Sequence, residues 1–225
     1  MVIWKYIYIN LIIFIIGYLL GSINFGILFS RKQGKDIRTQ GSGNAGATNV
    51  LRTYGIKIAI IVFVFDLLKS FIPIMILFFV KIYALKNNIF IFPLIIGFGA
   101  LFGHIFPLYF KFKGGKGVAC FFGIILAFHI QLFLIFLMIY IFIVLVSKYI
   151  SLASVISSFI GSSLSLIKYF HVGTLAYMQS YTIYPADSII LIACTILIIF
   201  MHFPNYLKLA MHKENKLNIG LKIKK

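Results

Sequence analysis

Apolar residues in this chain neither alternate nor recur on one helical face; they gather in long runs at residues 6–29, 56–80, 88–110, 117–147, 149–167 and 184–201. A helix needs about 20 apolar residues to cross about 30 Å of hydrocarbon, and only helices and closed barrels satisfy their backbone polar groups there. The runs therefore predict spanning helices. The first is longer than the apolar core of a secretory signal, and no Ala-x-Ala site follows it, so it reads as an anchor. Residues 117–147 hold no charge but carry His129 and Gln131 near the middle, which suits either one long helix or two short ones joined there.

Charge separates those alternatives. With seven crossings and the N-terminus outside, 16 of the 21 Lys and Arg residues fall on the inner side, including the tail from Lys208, and four (Lys5, Lys81, Lys86, Lys168) on the outer side. A single helix over 117–147 would leave ten on each side. The excess of basic residues in cytoplasmic loops favours seven helices and a cytoplasmic C-terminus. The expected fold is an all-α, polytopic membrane helix bundle, one domain over residues 1–225.

Composition agrees, with 62% hydrophobic and 11% charged residues. The net charge of +17 then needs no nucleic acid, because retention of cytoplasmic loops and attraction to anionic lipid explain it. Cys120 and Cys194 lie in apolar runs without Cys-x-x-Cys spacing, which suggests neither a disulfide framework nor a metal site. Gly17 and Gly21 form a Gly-x-x-x-Gly step, a close-packing face in helix 1.

Four chemically unusual stretches all fall on the predicted cytoplasmic side: GSGNAGATNVLR (41–52), GHIFPLYFKFKGGKGVA (103–119), YISLAS (149–154) and HFPN (202–205). The first carries Gly-x-Gly-x-x-Gly through Gly41, Gly43 and Gly46, and the glycine spacing of a Walker A loop with Ala47 in the lysine position. Both nucleotide motifs require a preceding strand, and an apolar helix stands there instead. The glycines still allow backbone N–H groups to approach an anion, while Ser42, Asn44, Thr48 and Asn49 offer side-chain hydrogen bonds and Arg52 a cation. In the second stretch, Gly114, Gly115 and Lys116 precede an apolar helix, where peptide dipoles favour anions. Lys116 is a candidate for the missing lysine.

These stretches, with DLLKSFIP at 66–73 and HFPNYLKL at 202–209, resemble in order the bacterial membrane-embedded acyl-phosphate:glycerol-3-phosphate acyltransferases, the PlsY family. The resemblance implies transfer of a fatty acyl group from acyl phosphate to the sn-1 hydroxyl of glycerol 3-phosphate, giving lysophosphatidate and phosphate at the cytoplasmic side of the bacterial inner membrane. It also implies functional coupling to the soluble enzyme that makes acyl phosphate. By the same resemblance, Ser42, Asn44, Gly46, Thr48 and Arg52 belong to a substrate-binding motif, with Gly41 and Gly43 beside them. Lys116 is the essential lysine after Gly114 and Gly115, Ser154 is a polar residue facing the site, and His202 and Asn205 form a His-x-x-Asn pair. Ser42, Lys116, His202 and Asn205 are the expected catalytic group.

Acyl phosphate is already an activated anhydride, so positioning and charge stabilisation suffice and no covalent intermediate is required. Four carboxylates, Asp36, Asp66, Asp187 and Glu214, are scattered along the chain, and no His-x-x-x-x-Asp occurs. No metal, nucleotide or other cofactor is expected. The rival from another class, a transporter of an organophosphate anion, would place its site near the bilayer midplane between inverted repeats, and the sequence shows neither.

Other polar residues have quieter expected roles. Asp66 and Lys69 should neutralise one another, His104 should fix its loop, and His129 and His171 fall on the outer side with no chemistry assigned. Pro204 should kink a helix or begin a new one. A second His-x-x-Asn, His212 to Asn215, sits too far beyond the last apolar run to reach a lipid-held substrate.

Overall fold

The computed structural model describes residues 2–85, 88–173, 175–176 and 178–217. Lys86 and the tail lysines Lys222, Lys224 and Lys225, which entered the charge count, lie outside the described residues. All regular elements among the described residues are helical: α1 Val2–Gly21, α2 Phe25–Lys32, α3 Ala47–Tyr54, α4 Ile56–Tyr83, α5 Leu94–Ile105, α6 Val118–Phe128, α7 Ile130–Ser147, α8 Ile150–Leu164, α9 Ala186–Met201 and α10 Phe203–Ala210, with single 3-10 turns between some of them.

The run 117–147 is two helices, α6 and α7, that reverse at His129, whose backbone is extended. Ring contacts show the reversal. Phe122, seven residues before His129, packs at 4.7 Å between ring centroids on Phe136, seven residues after it, and at 5.2 Å on Tyr140 about one helical turn further, as an antiparallel hairpin requires. The buried Gln179 side chain donates to Phe128 O, occupying a carbonyl that the end of α6 leaves open.

The seven apolar segments do not become seven full-length spans. Among the described residues, three helices are long and apolar enough to cross a membrane alone, Trp4–Lys32 (covering α1 and α2), Ile56–Tyr83 and Ile130–Ser147, and the bent pair α9–α10 makes a fourth if it is one span. α5, α6 and α8 have only 12, 11 and 15 residues. Their shortness is tolerable because protein surrounds them. α6 touches α4, α5, α7, α8 and α9, and nearly all its side chains are buried, so little of its backbone has to meet lipid.

Close crossing of α1 and α5 holds one side of the bundle together. A Cβ on Gly17 would lie 2.0 Å from Ile96 O, and one on Gly21 equally near Ala100 O, so the Gly-x-x-x-Gly step is an intramolecular packing face. Large apolar side chains on the outer faces of α1, α4 and α7, such as Ile12, Ile60, Phe79, Met138 and Phe142, are exposed, as lipid-facing residues are. Lys81, counted from the sequence as an outer loop charge, is instead fully buried within α4, and its Nζ donates to Ile91 O (2.7 Å) and Tyr181 O (2.6 Å). A buried ammonium must find oxygens, and the carbonyls of two loops supply them.

A second apolar cluster of Ile27, Ile37, Ala45, Val50, Ala59, Val62 and Phe110 seats α2, α3 and the loop between them on the start of α4. Arg38 fastens that loop. It grips Asp36 through Nε (2.9 Å) and Nη2 (2.7 Å) and donates from Nη1 to Phe110 O (2.8 Å), joining the segments before Gly41 and before Gly114. The Arg38 guanidinium holds the Asp36 carboxyl down at about 2.

Candidate active site

Four helices begin at one cavity of about 340 Å³: α3 at Gly46–Ala47–Thr48, α6 at Gly117–Val118–Ala119, α8 at Ile150–Ser151 and α10 at Pro204–Asn205. None of their N-caps makes a side-chain capping bond. The first turns of α3, α6 and α8 thus leave backbone N–H donors and positive dipole ends for an anion, whereas in α10 Pro204 has no N–H and Asn205 N donates to His202 O at 2.9 Å. Lys116, Arg52 and Lys208 add three cations to the wall.

The loop before α3 owes its shape to Asn49. Its buried amide accepts from Ser42 N (2.8 Å) and donates to Ile37 O (3.1 Å), Gln40 O (2.9 Å) and Asn44 O (2.9 Å). Asn49 was expected to offer a hydrogen bond to a ligand, but it scaffolds the loop instead. Asn44 Oδ1 accepts from Gly46 N at 2.8 Å, which fixes the turn into α3. Gly41 has a φ of +55°, where its missing side chain leaves room for Asn49, and it does not line the cavity. Ser42, Gly43, Asn44, Gly46, Thr48 and Arg52 do line it.

The second loop is pinned to the end of α5. Gly114 N donates to Ile105 O (3.1 Å) and Gly115 N to His104 O (3.0 Å), and a Cβ on Gly115 would lie 2.0 Å from His104 Nε2. Gly114 and Gly115, expected beside Lys116 among the substrate-binding residues, thus have no free N–H to offer a ligand. Both donors are taken by the chain, and Gly115 lies outside the cavity wall, although Gly114 is part of it. What the glycines secure is close approach, which sets Lys116 at the cavity. His104 holds this loop through its carbonyl, whereas its ring, expected to fix the loop, is hydrogen-bonded to Lys69.

Lys116 is half-buried and donates to Asn205 Oδ1. Asn205 Nδ2 donates to Glu214 Oε1 at 2.7 Å, and Ser151 Oγ donates to the same oxygen at 3.1 Å. This chain joins the starts of α6, α8 and α10 to the segment after α10. Burial brings the Lys116 ammonium down to about 8; Glu214 opposes the shift, while Lys208 and Arg52 add to it.

Pro204 starts a helix rather than kinking one. α9 ends at Met201, α10 begins at Phe203, and their axes meet at 47°. His202 lies at the corner, 97% buried and in the cavity wall. Its Nδ1 is 2.7 Å from Ile198 O, and a carbonyl can only accept, so Nδ1 carries the proton and Nε2 is left as the acceptor of the neutral ring. Ser154 lines the cavity and donates to Ile150 O at 2.8 Å.

His212 is exposed and outside the cavity. Asn215 departs from expectation, since it lines the cavity and its carbonyl accepts from Arg52 Nη2 at 3.3 Å. The sequence reading also missed that Asp66, His104 and Tyr140 reach the wall. Asp66 pairs with Lys69 at 2.7 Å as expected. His129 and His171 pack among Phe128, Phe170 and Tyr184 in the turns joining α6 to α7 and α8 to α9. No three His, Cys, Asp or Glu side chains gather among the described residues.

A helical protein embedded in the membrane, with a cationic cavity built from four helix N-termini, belongs to the class of integral membrane proteins that handle phosphorylated ligands. Comparison defines it further: the family model described as glycerol-3-phosphate acyltransferase matches residues 11–212, so the chain belongs to the glycerol-3-phosphate acyltransferase family. A glycerol-3-phosphate acyltransferase of Mycoplasmopsis agalactiae is 40% identical over 94% of this chain and 95% of its own length. One from Bartonella quintana is 36% identical over 91% and 90%. The crystal structure of PlsY (YgiH), an integral membrane glycerol 3-phosphate acyltransferase, in its glycerol 3-phosphate form superposes with a TM-score of 0.78 at 33% identity, covering 92% of this chain and 95% of that one.

Proposed function

We propose that the protein transfers a fatty acyl group from acyl phosphate to the sn-1 hydroxyl of glycerol 3-phosphate, the first acylation of bacterial phospholipid synthesis. The observation that carries this reading is the meeting of three helix N-termini with open N–H donors, those of α3, α6 and α8, with Lys116, Arg52 and Lys208 around one cavity. Both substrates bear phosphate, and such a cavity has donors for two.

In the reaction the hydroxyl oxygen bonds to the acyl carbonyl carbon, the bond from that carbon to the phosphate oxygen breaks, and phosphate departs with the electron pair. His202 Nε2 accepts the hydroxyl proton as the ester forms. Lys116 and the first turn of α6 take up charge that develops on the carbonyl and the departing phosphate, and Arg52 with the first turn of α3 holds the acceptor's phosphate. Ser42 and Thr48 add hydroxyl hydrogen bonds, Ser154 Oγ, whose proton is donated to Ile150 O, is left as an acceptor, and Asn205 holds Lys116 in place. Phe63, Tyr140, Ile150 and Met201 give the same cavity an apolar side for the start of the acyl chain.

The reading places the N-terminus outside, the C-terminus and cavity on the cytoplasmic side of the inner membrane, and seven passes in the chain, with α6 and α7 counted as two because they reverse at His129. The 16-to-4 basic asymmetry supports that orientation. Acyl phosphate then comes from the soluble enzyme that makes it, with no nucleotide or metal needed at this site. Purified protein reconstituted in vesicles with palmitoyl phosphate and glycerol 3-phosphate should release lysophosphatidate and phosphate. Uptake of glycerol 3-phosphate into empty vesicles without product would instead make the protein a transporter.

A further inference from the structure

Asp66 is fully buried, stands in the cavity wall, and has one oxygen with no hydrogen-bond partner, Oδ2. The neighbouring groups are committed elsewhere. Lys69 Nζ has three protons and three partners: Asp66 Oδ1 (2.7 Å), Ile23 O (2.9 Å) and His104 Nδ1 (2.9 Å). An ammonium only donates, so His104 Nδ1 is an acceptor and has no proton for Asp66, although it lies 3.4 Å from Oδ1. Lys69 therefore neutralises Asp66 and anchors it to the break between α1 and α2, without reaching Oδ2. A buried acceptor left unpaired is destabilising, so the site calls for a small donor from the cavity.

The cavity is polar along its depth. Arg52 and Lys208 are exposed at its rim, whereas Asp66 is buried about 15 Å along α4 from Ile56. A ligand with an anion at one end and hydroxyls at the other matches that gradient. Glycerol 3-phosphate has two hydroxyl donors, and at the buried end of the wall two acceptors stand open, His202 Nε2 and Asp66 Oδ2. Glu214 Oε1, by contrast, already accepts from Asn205 and Ser151.

We propose that Asp66 Oδ2 receives the non-reacting C2 hydroxyl of the acceptor substrate, making Asp66 the residue that selects a vicinal diol phosphate over a simple alcohol phosphate. This rests on the acyltransferase reading above. Asp66 touches substrate without exchanging a proton with it. Its contribution is to orient the glycerol so that the C1 hydroxyl faces His202.

The test compares glycerol 3-phosphate with 3-hydroxypropyl phosphate, which lacks the C2 hydroxyl, as acceptors of palmitoyl phosphate. The unmodified protein should prefer glycerol 3-phosphate at least tenfold in kcat/KM. In Asp66→Asn the amide oxygen stays on Lys69 and a donor NH₂ faces the ligand hydroxyl, so the preference should shrink to within threefold. Where the single substitution fails to fold, Asp66→Asn with Lys69→Gln keeps the buried pair neutral and should give the same loss of preference. Equal use of both acceptors by the unmodified protein, or a full preference retained in either variant, overturns the proposal. Failure of the acyltransferase reading is a different result, namely no product from either acceptor.

Discussion

Lys116 and Asn205, 89 residues apart, are joined by a hydrogen bond across the cavity, and Asn205 passes it on to Glu214. Asparagine suits this position because it accepts from a cation with one atom and donates to a carboxylate with the other. Aspartate has the same shape but would set a second negative charge against Glu214. Asn205→Asp should therefore lose turnover nearly as completely as Asn205→Ala at equal expression. Wild-type activity in the aspartate variant would show that the donor to Glu214 is dispensable.

Lys116→Ala removes a charge-assisted hydrogen bond to phosphate, worth about 1.5–3 kcal/mol or more of transition-state binding, which corresponds to a loss of roughly 10- to 150-fold in kcat/KM. Arg52→Ala should cost a similar factor, with more of it in KM for glycerol 3-phosphate. Melting curves in detergent should barely move, because neither residue belongs to an apolar core. A folded Lys116→Ala enzyme with near-normal rate would take the lysine out of the site.

The pH dependence follows from the Lys116 ammonium, brought down to about 8 by burial. A bound phosphate favours the charged form, so affinity is complete below that value and is lost as pH rises through it. KM for the acyl phosphate, whose phosphate Lys116 faces, should be flat near neutrality and climb above about pH 8, by up to about tenfold per unit. A KM that stays level to about pH 9.5 would show that this lysine does not carry substrate charge.

His202 and His212 make opposite predictions, although each begins a His-x-x-Asn. His202 is buried in the cavity wall with Nε2 as its acceptor, and His212 is exposed outside it. His202→Ala should nearly abolish acyl transfer, and His212→Ala should retain most of it. The reverse pattern, measured at matched expression, would move the third motif downstream.

Gly115→Ala would drive a Cβ to 2.0 Å from His104 Nε2, so the ring or the loop must give way. Activity should fall at least tenfold while Arg52 and the first loop stay intact. Pairing it with His104→Ala, which vacates the space, should recover part of the loss if the clash is the cause. No recovery would point to another role for the Gly115 position.

Long apolar runs and the one-sided distribution of Lys and Arg needed no tertiary information to identify a helical membrane protein, because burial in lipid acts on each segment separately. The glycine-rich stretches and HFPN were equally legible, since each carries its composition locally. Ser42, Thr48, Arg52, Lys116, Ser154, His202 and Asn205 could be picked out as residue types suited to phosphate chemistry, and all of them line the cavity. Which hydrogen bonds those residues have left to give was decided by folding. Asn49 spends its amide on three carbonyls and one N–H, Gly114 and Gly115 spend theirs on α5, and Lys81 is sunk into the bundle although a loop was expected around it. Helix length also escaped the sequence, since α6 can be 11 residues only because five other helices surround it. Asp66 shows the division most clearly. Its pairing with Lys69 follows from a three-residue step on one helix, but its open oxygen depends on where α1 breaks, which Lys69 meets across 46 residues of chain, and where His104 stands, 38 residues from Asp66, contacts made by packing alone.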